Sequence, residues 1–301
     1  MARASIRDCR IRRWLFRTWT VLSGTVNRCR AKPLSCLSRT RLWRWLAVQR
    51  YFSLLSARSG EAHAGLRQST ERLFLDVEGL SRCVRPEELH TVPRPDFWCF
   101  SMSLPRLFNT TFDTIPCDMP YLRPVPEEAE RWAQWLPAGK PRVGFVWAVD
   151  PRACNPYLNA IDRRRSVSAS TFLQLLRITG ITFISFQKRR GKCCAIGRYS
   201  GRPAALRSVP DVTDFTDTAA IVTSLDLVMG VDTSVMHLAG AMNKPVWILS
   251  RFDGCWRWLR DRDDSPWYPS ARVFRQRRSG DWDEVIEEVA QVLRDWAALH
   301  H

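Results

Sequence analysis

The sequence predicts an α/β protein whose carboxyl-terminal part, residues 141–301, is a doubly wound parallel sheet. Three observations carry this. Apolar runs of strand length alternate with runs of helical spacing from about residue 140 onward, which is the signature of repeated strand-helix-strand units. The last stretch, SGDWDEVIEEVAQVLRDWAAL, puts Trp282, Val285, Ile286, Val289, Val292, Leu293 and Trp296 on one helical face, behind Ser279 as a cap and an acidic first turn. Between two β-branched runs, Asp232-Thr233-Ser234 and His237 occupy a gap with room for one short helix.

Taken in order, RVGFVWAV reads as a strand, STFLQLLRITG as a helix closed by Gly180, and ITFISFQ as a second strand. DTAAIVTSL reads as a helix, DLVMGV as a strand, SVMHLAGAM as a helix and PVWIL as a strand. Upstream, FWCFSMSLPRLFNTTFDTIP reads as a strand and a loop rich in Pro and Thr. PEEAERWAQWLPAGKPR reads as a short helix leading into a linker, which sets a boundary near residue 140. The expected organisation is a basic, poorly ordered segment over 1–70, a remnant of an amino-terminal half plus linker over 71–140, and a folded domain over 141–301.

The formal charge of +16 is unevenly spread. Residues 1–70 hold 15 Lys and Arg against Asp8 and Glu61, a balance of +13, and the remaining residues carry only +3. The body of the protein therefore gives no electrostatic reason to expect nucleic acid. No stretch reaches the roughly 18 uncharged apolar residues of a membrane span. Ten cysteines without a CxxC pair fit neither a disulfide framework nor a zinc site, and they point to a reducing compartment, the cytoplasm. For the basic segment four readings stand side by side: a replaced or degenerate domain half, a tail for nucleic acid or a membrane surface, a transit peptide, or residues from a wrong start or reading frame.

In a doubly wound sheet, ligands bind beyond the carboxyl ends of strands, where the next helix begins. Asp232, Thr233 and Ser234 take that place, and a helix amino terminus presents free N–H groups and partial positive charge to a phosphate. His237, one turn on, adds a possible donor. The bland alternative is a capping Thr233 or Ser234 and a satisfied core histidine.

DFTDTAAIVTSLDLVMGVDTSVMHLAGAMNKPVWIL, with DDSPWYP and FRQRRSGDW after it, resembles the carboxyl-terminal half of bacterial GT-B glycosyltransferases of the heptosyltransferase-like kind. It is similar in particular to the form found behind tetratricopeptide repeats. The resemblance covers roughly residues 90–295. It implies a GT-B-like fold with a Rossmann-like carboxyl-terminal half, and a nucleotide-diphosphate sugar as donor substrate with no other cofactor and no metal. It also implies a protein or glycan as acceptor. Asp232, Thr233, Ser234 and His237 become donor contacts. Arg165 and Ser166 of DRRRSVS and Lys188 of FQK join them, a solvated charge run and a solvated strand end being the alternatives.

The resemblance further places Thr110, Thr111 and Asp113 on the acceptor side. Where the family has a small residue, Gly and Asn after the first strand's Trp, this chain has Val149 and Asp150. Trp256 and Trp258 are candidates for stacking on a base or sugar, with core packing expected for at least one. Asp261-Arg262-Asp263 is set aside as a metal pair. No strand and glycine-rich loop is legible in residues 1–70, so the amino-terminal half reads as incomplete or degenerate and the catalytic base stays unassigned. Two functions follow: a glycosyltransferase, or a catalytically inactive or truncated remnant that binds a nucleotide sugar or another protein.

Overall fold

The structure, a computed structural model, describes residues 20–21, 34–37, 42–65, 68–85, 88, 97–139, 141–187, 206–210, 212 and 214–300. The chain divides into two compact units, Met1–Tyr121 and Leu122–His301.

The first unit is built on a parallel sheet. Its strands are β1 (Thr20–Val21), β2 (Leu34–Leu37), β3 (Ala62–Gly65), β4 (Arg82–Val84) and β5 (Phe97–Phe100), in the order β1-β5-β2-β3-β4. Between β2 and β3 run helices α1 (Leu42–Val48) and α2 (Phe52–Ser59), joined by one 3₁₀ turn over Gln49–Tyr51. They bury Trp45, Leu46, Val48, Tyr51, Phe52 and Leu55.

The expectation that residues 1–70 pack poorly therefore fails over the part described, and the amino-terminal half is a parallel α/β layer there. The period was hidden by Arg50, a charged side chain at a core position. Its guanidinium lies 4.4 Å from the Tyr121 ring centroid and donates to Tyr121 Oη at 2.8 Å and to the Pro116 carbonyl at 2.9 Å. A buried charge satisfied in this way reads in sequence as a break in an apolar face.

The second unit begins earlier than the expected linker. Helix α3 (Pro126–Trp135) docks on the later helix α6 (Phe215–Thr223), where the buried carboxylate of Asp217 accepts from Arg131 Nη2 at 2.5 Å and Trp132 Nε1 at 3.0 Å. The segment after Tyr121 therefore belongs with the carboxyl-terminal body.

That body holds strands β6 (Arg142–Val146), β7 (Thr182–Ser185), β8 (Leu206–Ser208), β9 (Leu227–Val231), β10 (Val246–Ser250) and β11 (Ala271–Arg275). They form one parallel sheet in the order β11-β10-β9-β6-β7-β8. The connecting helices are α4 (Pro156–Arg165), α5 (Ala169–Leu176), α6, α7 (Ser234–Ala241) and α8 (Asp283–Leu299). From β6 the chain steps outward to β7 and β8, then returns to lay β9 on the other side of β6. The order reverses between β6 and β9, and such a reversal opens a crevice at the strands' carboxyl ends.

The expected strands at 142, 181, 226 and 245 and the helices at 170, 217, 234 and 283 are present. Helix α8 starts after Trp282 with no side-chain cap, so Ser279 does not serve as one. Val285, Ile286, Val289 and Leu293 of α8 are buried, with Val292 and Trp296 packed at the margin.

Gly230 fixes how closely β9 approaches β6. It has φ +151°, and a Cβ there would collide with the carbonyl oxygen of Val146. Among the described residues no helix is long and apolar enough to cross a membrane.

Candidate functional site

The segment after β9 carries Asp232 and Thr233 directly to the reversal point, and α7 begins at Ser234. Thr233 is the N-cap residue, with φ −132° and ψ 171°, yet its side chain caps nothing. Its Oγ1 is buried without a hydrogen-bond partner among the described residues. An N-cap threonine normally spends its oxygen on the helix's own N–H groups, so a simple capping role does not account for this one.

His237 lies one turn into α7, fully buried. Its Nδ1 is 3.0 Å from Tyr268 Oη, and its Nε2 is 3.2 Å from Asp232 Oδ1 and 3.3 Å from Arg257 Nη2. Trp258 stacks on the ring with centroids 5.2 Å apart and planes at 21°. The ring is enclosed, with Asp232 and Arg257 at its Nε2 edge.

Burial pulls the His237 pKa down from 6.5 to about 4, the Asp232 hydrogen bond opposing and the charges of Arg257 and Arg165 adding to the fall. The imidazole is neutral at physiological pH. Burial pushes Asp232 upward, but the bond from His237 and the charges of Arg257 and Arg165 outweigh it and hold the carboxyl well below its usual range.

A pH dependence of stability follows from the histidine. Between pH 6.5 and 4 the unfolded chain takes up a proton at this residue and the folded chain does not, so stability falls as pH drops through that window and is level above it. The loss expected is on the order of 3 kcal/mol. Urea unfolding at a series of pH values, with His237→Gln as the comparison, measures it: the variant's profile is expected to be flatter between pH 6.5 and 4. Equal slopes for the two proteins in that range would count against a buried neutral imidazole.

Arg165 and Ser166 lie at the end of α4, not in a free basic turn. Asn155 caps that helix through its side chain, and Pro156 sits at its first position, a start signal present in the sequence but passed over. Arg165 Nη2 bonds Asp162 at 3.1 Å, and Asp162 also holds Arg152 at 2.6 Å. The Arg165 Nε is buried with no partner among the described residues. Ser166 Oγ donates to the Asp162 carbonyl and accepts from Val149 N–H at 3.1 Å, while Gln187 Oε1 accepts from Ala148 N–H at 3.1 Å. The loop after β6 is thus clamped from both sides, and Val149 fits it without a positive φ.

Lys188 lies outside the described residues. The structure brings Asp232, Thr233, Ser234, His237 and the charge of Arg165 together. Ser166 braces the loop beside them. Arg152 and Arg165 share Asp162, and Arg165 and Arg257 act on Asp232, so these five described side chains carry a net positive charge.

Arg257 and the residues around it were the part that sequence reading missed. Trp258 is core, whereas Trp256 is 54% exposed and packs edge-on against Trp267 at 5.4 Å. The turn that presents Arg257 ends at Leu259, whose φ of 47° is rare for a branched residue. Arg275 at the end of β11 donates to the carbonyls of Trp258, at 2.7 Å, and of Leu259. Asp261, Arg262 and Asp263 are exposed, with Arg262 paired to Asp264, and no group of three or more His, Cys, Asp or Glu side chains among the described residues could hold a metal.

In the first unit, Thr110 Oγ1 lies 2.9 Å from Tyr51 Oη. Thr111 and Thr114 form a reciprocal capping box around the exposed Asp113.

No protein-family model matches the chain. It is 28% identical over 213 residues to Protein FlbA of Caulobacter vibrioides, which covers 68% of this chain but 34% of FlbA, so the chain spans about a third of that relative's length. Among solved structures it is similar to a family 9 glycosyltransferase from Veillonella parvula, with TM-score 0.64 and 9% identity, covering 90% of this chain and 98% of that one. It is also similar to E. coli ADP-heptose lipopolysaccharide heptosyltransferase II, with TM-score 0.62 and 12% identity over 89% of this chain and 99% of that one. A third is the E. coli heptosyltransferase WaaC solved with ADP-2-deoxy-2-fluoro heptose, with TM-score 0.55 and 9% identity over 87% and 99%. The chain therefore has the GT-B fold of the family 9 glycosyltransferases and heptosyltransferases, an α/β architecture with a parallel six-stranded sheet.

Proposed function

We propose that the carboxyl-terminal unit binds a nucleoside-diphosphate sugar where β6 and β9 diverge, and that the protein transfers the sugar to a protein or glycan acceptor. The observation that carries this reading is a pair of buried donors without partners among the described residues, Thr233 Oγ1 at the amino terminus of α7 and Nε of Arg165, whose charge acts on Asp232 and His237. A buried unsatisfied donor costs about 1–3 kcal/mol. Diphosphate oxygens are acceptors of the right charge for this net-positive cluster.

On this reading Ser234 and the first N–H groups of α7, with Thr233 and Arg165, hold the diphosphate. Arg257 lends its charge from beside Asp232 and His237, and Lys188 adds a further positive charge. The same groups stabilise the charge that develops on the leaving diphosphate. Nucleotide sugar is the only non-protein component required, and neither a metal nor another cofactor enters the reading. Thr110, Thr111 and Asp113 are the acceptor-side candidates. A reducing, cytoplasmic setting and an association with tetratricopeptide repeats in a bacterial protein belong to the same proposal, as the sequence resemblance suggests.

Calorimetry with ADP, GDP, UDP and CDP tests the site. One of them is expected to bind the parent chain, and Arg165→Met is expected to weaken it about 10- to 100-fold, the worth of a charge-assisted hydrogen bond. Failure of all four to bind would overturn the donor-site assignment. Binding without sugar release from the matching nucleotide sugar, with or without acceptor, would favour a binding module over a transferase.

A further inference from the structure

We propose that Tyr268 is a positioning residue: its hydroxyl donates to Nδ1 of His237, sets the ring's proton on Nε2, and so directs an N–H at Asp232 and keeps that carboxylate ionised and oriented at the crevice. This rests on the donor-site reading only for its consequence in binding; the proton placement stands on the side-chain geometry.

The argument turns on Nε2, which has two neighbours of opposite demand. Asp232 Oδ1 at 3.2 Å needs a proton, and Arg257 Nη2 at 3.3 Å offers one. Neutral imidazole satisfies one of them. With the proton on Nδ1, a nitrogen lone pair would face a carboxylate inside a buried site, where repulsion is screened far less than in water. With the proton on Nε2, the ring makes a charge-assisted bond to Asp232, about twice the strength of a neutral one. The guanidinium can turn another of its five N–H groups elsewhere and keeps its attraction to the same carboxylate. The anion therefore favours the Nε2–H form, which holds as the single tautomer only if Nδ1, left an acceptor, is given a donor of its own.

Tyr268 supplies what that acceptor needs. Its Oη is 3.0 Å from Nδ1, its ring is buried, and Trp258 packs on it at 5.9 Å. The ring is admitted by Gly240 of α7, where a Cβ would sit 2.6 Å from Tyr268 Cδ1. The phenol lies on the side of the imidazole away from Asp232. Among the described residues Asp232, Arg257, Arg165 and Tyr268 are titratable or charged groups that act on His237. Of these four, Tyr268 is the one within hydrogen-bond distance of Nδ1, and it donates there without adding charge.

The experiment is nitrogen NMR of the full chain labelled at histidine, recorded at neutral pH, with ADP binding measured in parallel. The parent protein is expected to show His237 protonated on Nε2 with a hydrogen-bonded bare Nδ1. Tyr268→Phe is expected to lose the single tautomer, giving exchange between both forms, and to bind ADP about 5- to 10-fold more weakly. Asp232→Asn, which keeps the shape but removes the charge, is expected to relax the preference in the same direction.

A proton on Nδ1 in the parent overturns the proposal, and that measurement requires no variant to fold. So does a Tyr268→Phe protein that keeps a pure Nε2–H form. A purely structural tyrosine would lower stability and leave the tautomer unchanged. Absence of ADP binding with Nε2–H intact would instead sink the donor-site reading and leave the proton placement supported.

Discussion

Gly230→Ala is expected to lower the melting temperature of the carboxyl-terminal unit by on the order of 10 °C, a loss of about 4 kcal/mol. The new Cβ meets the carbonyl oxygen of Val146 on the adjoining strand, with Val146 N only 2.9 Å away, and backbone cannot turn aside as a side chain can. The residue would also be held at φ +151°, a conformation L side chains rarely adopt. The only relief is to part β6 from β9, the two strands whose ends carry the loop clamped by Ser166 and the Asp232-Thr233 corner. Any folded remnant is expected to have lost ligand affinity with its stability. A denaturation midpoint within two or three degrees of the parent would mean the strands do not approach this closely.

Arg257→Met is expected to be the most damaging single change at the site itself. It removes a buried cation whose charge acts on the ionised Asp232 and whose Nη2 lies 3.3 Å from His237 Nε2, and taking one charge out of a fully formed buried pair typically costs about 3–5 kcal/mol. Arg165 still acts on Asp232, so about 3 kcal/mol is the expected loss of stability. Nucleoside-diphosphate affinity should fall more than 100-fold, since both a cation and the orientation of its neighbours disappear. The double variant Asp232→Asn/Arg257→Met distinguishes this cause from lost packing. If the two charges compensate one another, the double variant recovers part of the stability lost by Arg257→Met, whereas packing losses add. Strict additivity in urea unfolding would refute the electrostatic account.

Most of the carboxyl-terminal sheet was legible because its strands are buried on both faces and its helices on one, so apolar runs and helical spacing alternate with little interruption. The Asp232 corner was legible for the same reason: polar residues between two such runs have few other uses. Helix α4 was missed although Asn155-Pro156 announces it, because its body, PYLNAIDRRR, has almost no apolar face to count. Strand β11, ARVFR, was hidden by Arg272 and Arg275, the second of which works as a tether.

In the amino-terminal unit the difficulty was similar. Arg50 and Gln49 sit in the core with hydrogen-bonded side chains, and periodicity scores such residues as surface. The contacts of Arg257 and of Tyr268 with His237 join residues 20 and 31 positions apart. Local pattern does not report contacts over such separations.

Arg275 has a bearing on the energetics of association. By holding the carbonyls of Trp258 and Leu259 it keeps the Arg257 turn in a backbone shape that, at Leu259, an isolated peptide would seldom visit. The configurational entropy of that turn is surrendered when the unit folds, not when a ligand arrives. A ligand then loses its own freedom but need not order this part of its receptor, so more of the gross attraction survives as affinity. Encounter with a turn already in shape involves no slow rearrangement there, and differences in affinity among ligands at this end of the site would lie in how long each one stays.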